Sequence, residues 1–279
     1  MIRRTDGTAT VVDIHAHLGP AAQPGQDGGR SGRLLAAMDL GGVDVACVFA
    51  SAARGSDYRV ETELILELAS SSPRIVPFAR AHPYWGAEAV ADLEALARSG
   101  ARGLKLHPFM DGAFAANDRA LVHPLVRTAA DHGLVVLVHS GWGFNSAPGL
   151  IADLARWFPT VPVVMGHSGR YGYHREAAAV GADLPNLHYD IAGLATPGAV
   201  DELVSLVGGD RVLLGSDHPH SPMGFEVEKV ARWSALGGND LRAVVGLNAL
   251  RLLGIERPEV GPTVTVREPG ETSGTVQQP

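Results

Sequence analysis

The sequence predicts a single-domain α/β fold of the (β/α)8, or TIM-barrel, type, with no β-sandwich domain. Two observations carry this. Short apolar, β-rich runs recur eight times along the chain, interleaved with segments of amphipathic helical periodicity. That alternation builds βαβ units and a parallel sheet. The turn after the first run holds His15 and His17, where an open doubly wound sheet would carry a glycine-rich phosphate loop.

The elements follow in order. Strand one, residues 11–15, is Val11-Val12-Asp13-Ile14-His15. The Gly- and Gln-rich stretch 21–32 then reads as a loop able to cover the barrel mouth, before a helix over 33–40. Strands are expected over 43–50, 75–79, 103–106, 134–139, 161–166, 187–191 and 212–215, with helices over 60–69, 88–99, 123–132, 150–158 and 198–207 between them. Segments 226–236 and 240–253 close the barrel, and Asn248 in the second has a structural role. From Pro258 the composition turns to Pro, Gly, Thr, Ser and Gln, so residues 1–257 form the barrel and 258–279 a poorly ordered tail.

Composition narrows the class. A chain of 279 residues with 46% hydrophobic content supports one large core. A net charge of -7 without a basic run argues against nucleic acid and anionic membrane surfaces as partners. Cys47, the sole cysteine, sits in an apolar run and reads as a core thiol. With no signal region and no membrane-spanning run, a cytoplasmic protein acting on a small molecule is expected; a homo-oligomer is compatible with the sequence.

In such barrels the chemistry lies at the C-terminal ends of the strands. Strand one delivers His15 and His17, which share a face if the strand alternates regularly. Two imidazoles converging at the end of a buried strand suit a metal, although a surface pair in a chain with 12 histidines is the plain alternative. Strand four ends in Lys105 and His107, strand five in His139, strand six in His167 and strand eight in Asp217. Ionisable groups at the ends of apolar runs are costly unless paired or metal-bound. Chance explains one or two of these placements, hardly all.

At these residues the chain resembles the amidohydrolase superfamily, with His-x-His on strand one, Lys on four, His on five and six, and Asp on eight. The runs Lys105-Leu106-His107-Pro108 and Gly215-Ser216-Asp217 are most similar to its amidohydrolase-related branch. That branch includes small metal-dependent hydrolases and non-oxidative decarboxylases of the aminocarboxymuconate-semialdehyde and resorcylate type. The resemblance spans Val11 to about Gly254. It implies that His15, His17 and Asp217 hold a divalent metal with His139. It leaves His167 as a second-metal ligand or an acid/base beside the ion. It leaves Lys105 as a carboxylated bridge between two ions or a substrate-carboxylate binder, and a solvated rim lysine is the plain alternative. Zinc is expected, with manganese, iron or magnesium as alternatives, and one ion is favoured over two.

Other rim residues are candidates for substrate contact. They are Arg80 and His82 after strand three, His107 after strand four, Trp142 after strand five and Arg170 after strand six, with Arg54 and Tyr171 on neighbouring loops. Packing and pairing with acids is an equally good account of Arg80 and His82. His218 and His220 are expected to support Asp217 from outside the ligand set. The leading expectation is a metal-dependent hydrolase of a small amide, ester or lactone, with Asp217 as general acid/base and His167 assisting. The alternative is a non-oxidative decarboxylase of a small aromatic or enoic acid. A catalytically idle barrel fits poorly, since it has no need of ionisable groups at a desolvated rim.

Overall fold

The computed structural model describes residues 9–19, 27–51, 58–170 and 172–256. Arg54, Tyr171, the tail 258–279 and residues 21–26 of the expected 21–32 loop lie outside these, while residues 27–32 are helical, so the helix expected over 33–40 begins at Asp27 and takes in half of the expected loop. Eight strands pair in parallel and in chain order: β1 (Val12–His17), β2 (Val45–Phe49), β3 (Ile75–Arg80), β4 (Gly103–Leu106), β5 (Val135–His139), β6 (Val163–Gly166), β7 (Leu187–Asp190) and β8 (Val212–Leu213). The strand expected over 212–215 stops at Leu213, because the chain beyond it turns from β7 to β1. There Ile14 N donates to Leu214 O at 2.9 Å and His17 N to His218 O at 2.8 Å, and these bonds bring the sheet round on itself. The result is the expected single-domain barrel.

Helices α1 (Asp27–Gly41), α2 (Tyr58–Ser71), α3 (Ala87–Arg98), α4 (His123–Asp131), α5 (Pro148–Trp157), α6 (His174–Val180) and α7 (Pro197–Val207) alternate with the strands, and α8 (Met223–Glu228), α9 (Gly238–Arg242) and α10 (Asn248–Leu253) follow β8. The seven-residue α6 was not anticipated, being too short to display an amphipathic period. The two expected closing helices are each interrupted by wider turns over 229–233 and 243–247. Asn248 is structural, as expected: its Nδ2 donates to Gly209 O and Val212 O, both at 2.7 Å, below β8.

Side-chain alternation splits the core in two. Val45, Cys47, Phe49, Val76, Phe78, Val135, Leu137, Val164 and Leu213 fill the barrel, floored by Leu250 and Leu253. Ala46, Val48, Leu104, Val136, Val138, Val163, Met165, Leu187 and Tyr189 pack outward against the helices. Residues of the inward series at the strand ends therefore meet over the barrel axis. Glycine at 103 is needed there, because a Cβ would lie 2.4 Å from the Phe78 ring.

β1 departs from simple alternation. Val12 and Ile14 belong to the barrel interior, yet Ala16 packs outward, and the register against β2 shifts between Asp13 and Ala16. An extra residue there is a β-bulge. In a regular strand with Ile14 inward, His15 and His17 would face the helices; the bulge reverses the faces after Ile14. The two histidines do converge, but through an irregularity, not through the regular strand from which their shared face was expected.

Candidate metal centre

His15, His17 and Asp217 meet at the mouth of the barrel. Asp217 Oδ1 lies 3.3 Å from His15 Nε2 and 3.2 Å from His17 Nε2. The remaining ring nitrogens face away from this point: His15 Nδ1 is 2.7 Å from Asp190 Oδ2, and His17 Nδ1 is 3.4 Å from Ala50 O. Each Nδ1 is aimed at an acceptor, so the Nε2 lone pairs face the carboxylate. Asp217 N donates to His15 O at 2.7 Å, and Asp217 itself adopts φ 61°, so β1 and the segment after β8 hold each other in place.

His139 and His167 complete the cluster. His167 Nδ1 lies 2.9 Å from Ala192 O and must carry the proton, which leaves Nε2 to accept from His139 Nδ1 at 3.0 Å. His139 Nε2 then keeps its lone pair, and it is buried without a hydrogen-bond partner among the described residues. The His167 ring centroid lies 4.7 Å from that of His15 and 4.5 Å from that of His139, so the four imidazoles are contiguous.

Lys105 reaches into the same space. Its Nζ donates to His15 Nε2 at 3.0 Å and sits 4.5 Å from the centre of the Phe49 ring. Fully buried, it forms no ion pair among the described residues. His107 stacks on His139 with centroids 3.8 Å apart, and Trp142 packs edge-on against His139 at 5.6 Å. The Arg170 guanidinium lies 5.2 Å from the Trp142 ring, so loops after β4, β5 and β6 form one wall of the mouth.

Burial governs the charges. It pushes His17 and His167 down to about 3, and with His167 alongside it pushes His139 well below the usual imidazole range. Burial pushes Lys105 down to about 7. Burial opposes ionisation of Asp217, but its close contacts with the His15 and His17 rings, with His167 alongside, outweigh it and hold the carboxyl far below its usual range. For His15, burial and Lys105 both favour neutrality, while Asp190 pulls the other way and raises it. The centre thus offers an ionised carboxylate facing Nε2 of His15 and His17, with the uncharged imidazoles of His139 and His167 next to them, a donor set that suits a divalent cation. His15, His17 and Asp217 bring ligand atoms within 4.8 Å of one another, as do His15, His167 and Asp190.

Two expected substrate contacts are placed differently. Arg80 has no exposure; it pairs with Asp111 at 2.7 Å and donates to Ala50 O at 3.1 Å. It supports the site from behind. His82 stacks between Tyr58 and Trp85, at 6.3 and 5.5 Å, outside the histidine cluster. His218 and His220 stay outside it as expected, with the His220 ring 5.6 Å from that of His17.

Sequence reasoning missed Asp190, the last residue of β7. The signal was available: Leu187 and Tyr189 are the outward apolar pair, so His188 and Asp190 belong to the inward series. It also missed Asp13, which burial pushes up to about 7 and which ties β1 to β8 by accepting from Ser216 N at 2.9 Å and from Ser216 Oγ at 2.5 Å.

No curated sequence matches the chain. Among solved structures, 5-carboxyvanillate decarboxylase from Sphingomonas paucimobilis superposes with TM-score 0.68 at 19% identity, over 89% of this chain and 100% of that one. The 5-carboxyvanillate decarboxylase of Novosphingobium aromaticivorans, complexed with manganese and 4-hydroxy-3-methoxy-5-nitrobenzoic acid, gives 0.67 at 14%, over 88% and 96%. A probable 2-pyrone-4,6-dicarboxylic acid hydrolase from Acinetobacter baumannii gives 0.64 at 16%, over 88% and 100%. These likenesses establish the shared barrel. The amidohydrolase family profile matches residues 12–255, from β1 to just past α10. The chain belongs to the amidohydrolase superfamily.

Proposed function

We propose that this protein is a metal-dependent lyase that removes carbon dioxide, without an oxidant, from a small aromatic or enoic carboxylic acid. His15, His17, His139 and Asp217 would hold one divalent ion. When bound, such an ion polarises a substrate oxygen and acidifies water. Zinc suits the histidine-rich set, and manganese is supported by the decarboxylase that carries it.

Lys105 carries the reading. A buried amine that forms no ion pair among the described residues is a place for an anionic ligand, and a substrate carboxylate is the group a decarboxylase must desolvate. When the bond to the carboxyl carbon breaks, carbon dioxide leaves and the electron pair stays on the substrate carbon. An N–H of Lys105 supplies the proton that replaces it, and solvent restores the lysine. Trp142, 38% exposed beside His139, gives a planar substrate an aromatic ring to pack against, with the Arg170 guanidinium 5.2 Å from the centre of that ring.

In the sequence, Lys105 counted toward hydrolysis, because carboxylation would let it bridge two ions. The His139–His167 bond weakens that route: it occupies the inward nitrogen with which His167 would ligate a second ion. Hydrolysis keeps one specific support. Asp217 meets both histidines through Oδ1, and Oδ2 has no partner among the described residues, so it is free to take a proton from water. The test is turnover of the metal-loaded protein on hydroxybenzoates, enoic acids and lactones. Carbon dioxide release is expected; lactone opening without it would replace the lyase with a hydrolase.

A further inference from the structure

We propose that Asp190 is a positioning residue that sets the tautomer of His15 and, through the same carboxylate, holds the backbone turn that presents His167. Asp190 ends β7, fully buried, and its oxygens are divided between two tasks. Oδ2 faces His15 Nδ1 at 2.7 Å. Oδ1 accepts from His167 N at 3.1 Å and Ala192 N at 2.8 Å. Its backbone carbonyl accepts from Ser168 Oγ at 2.6 Å.

The first task follows from hydrogen-bond chemistry. An ionised carboxylate only accepts, so His15 must carry its proton on Nδ1 and keep its Nε2 lone pair toward Asp217. The second task answers a local strain. His167, Ser168, Gly169 and Arg170 have φ of 66°, 46°, 83° and 49°, a left-handed run in which three residues are not glycine. Each such residue is strained, so the run persists only where its surroundings fix it. Three of the fixing bonds end on Asp190 or just after it: His167 N, Ser168 Oγ, and His167 Nδ1 on Ala192 O at 2.9 Å. Gly215 makes the approach possible, since a Cβ there would lie 2.9 Å from His15 Cβ and 3.2 Å from Asp190 Cγ. One carboxylate on β7 thus orients groups on β1 and β6 together.

Asp190→Asn separates the two tasks. Its carbonyl oxygen can keep both backbone bonds, while its amide would donate to His15 Nδ1 and drive the proton to Nε2. The tautomer is read in the metal-free, 15N-histidine-labelled full chain at about pH 9, well above the ordinary imidazole range. Zn2+ affinity is read by chelator competition and folding by thermal denaturation. We expect His15 Nδ1–H in the parent protein and Nε2–H in Asp190→Asn, with melting little changed and Zn2+ affinity lower by about 10- to 100-fold. Asp190→Ala, which removes every side-chain bond, should melt lower as well. The affinity loss rests on the reading of His15 as a ligand; the tautomer does not. A flipped tautomer with unchanged Zn2+ affinity upholds the role of Asp190 and removes His15 from the ligand set. An Nε2–H tautomer in the parent protein overturns the proposal even if the variants fail to fold, and so does Asp190→Asn with Nδ1–H retained.

Discussion

Arg80 and Asp111 form a 2.7 Å ion pair in which neither side chain has any solvent exposure. Asp111 Oδ1 also accepts from Tyr58 OH at 2.5 Å, and the Arg80 guanidinium lies 4.3 Å from the centre of that ring. Arg80 Nη1 donates to Ala50 O, the oxygen that faces His17 Nδ1. Removing Asp111 would strand a buried cation behind His17. Asp111→Ala should lose about 3–5 kcal/mol in urea denaturation, the range for breaking one side of a buried pair. Arg80→Met with Asp111→Leu should lose less than the two single changes summed. Additive losses would show that the pair is not coupled.

Among the described residues, Asp217 is the only carboxylate whose oxygen meets both β1 histidines. Asp217→Asn keeps the shape but removes the anion and the capacity to take up a proton. Turnover should fall at least about 10²-fold, the low end for acid–base catalysis, with near-parental melting. Full turnover at full metal occupancy would leave Asp217 without a chemical role.

Gly215 tests the packing behind the histidines. Gly215→Ala forces His15 and Asp190 apart and should weaken metal binding as well as stability. Gly149→Ala is the comparison: it lies in α5 with nothing within 4 Å of the added Cβ, so it should be neutral or stabilise by up to about 1 kcal/mol. Equal effects of the two changes on metal affinity would count against a packing role for Gly215.

The barrel was legible because its information is local. Each strand is a short apolar run, and the strand-end rule then locates the site. Lys105, His139, His167 and Asp217 were found that way, and they do meet. What stayed hidden depends on partners far apart in the chain. The bulge that turns His15 and His17 inward leaves no mark in the periodicity of β1, because Val12, Ile14 and Ala16 look like one face. Arg80 resembles an anion binder until Asp111, 31 residues on, is seen to occupy it. Asp190 obeyed the rule used for the others and was passed over because β7 carries no recognisable motif beside it.

Lys105 separates one ion from two. In a one-ion site the lysine stays an unmodified amine, His139 ligates through Nε2, and the His139–His167 bond persists. In a two-ion site Lys105 is carboxylated, because an ammonium repels a second cation while a carbamate binds it. His139 and His167 must then part to reach the second ion. Metal analysis of protein purified without chelators should give one equivalent per chain, and intact mass should show no added carbon dioxide. Lys105→Met keeps the length and removes the charge. It should retain the single ion but lose about 10²-fold or more in decarboxylation, as expected of a group that supplies the proton. Two equivalents that fall to one in Lys105→Met would mean that the lysine bridges two ions, and the lyase reading would yield to a binuclear hydrolase.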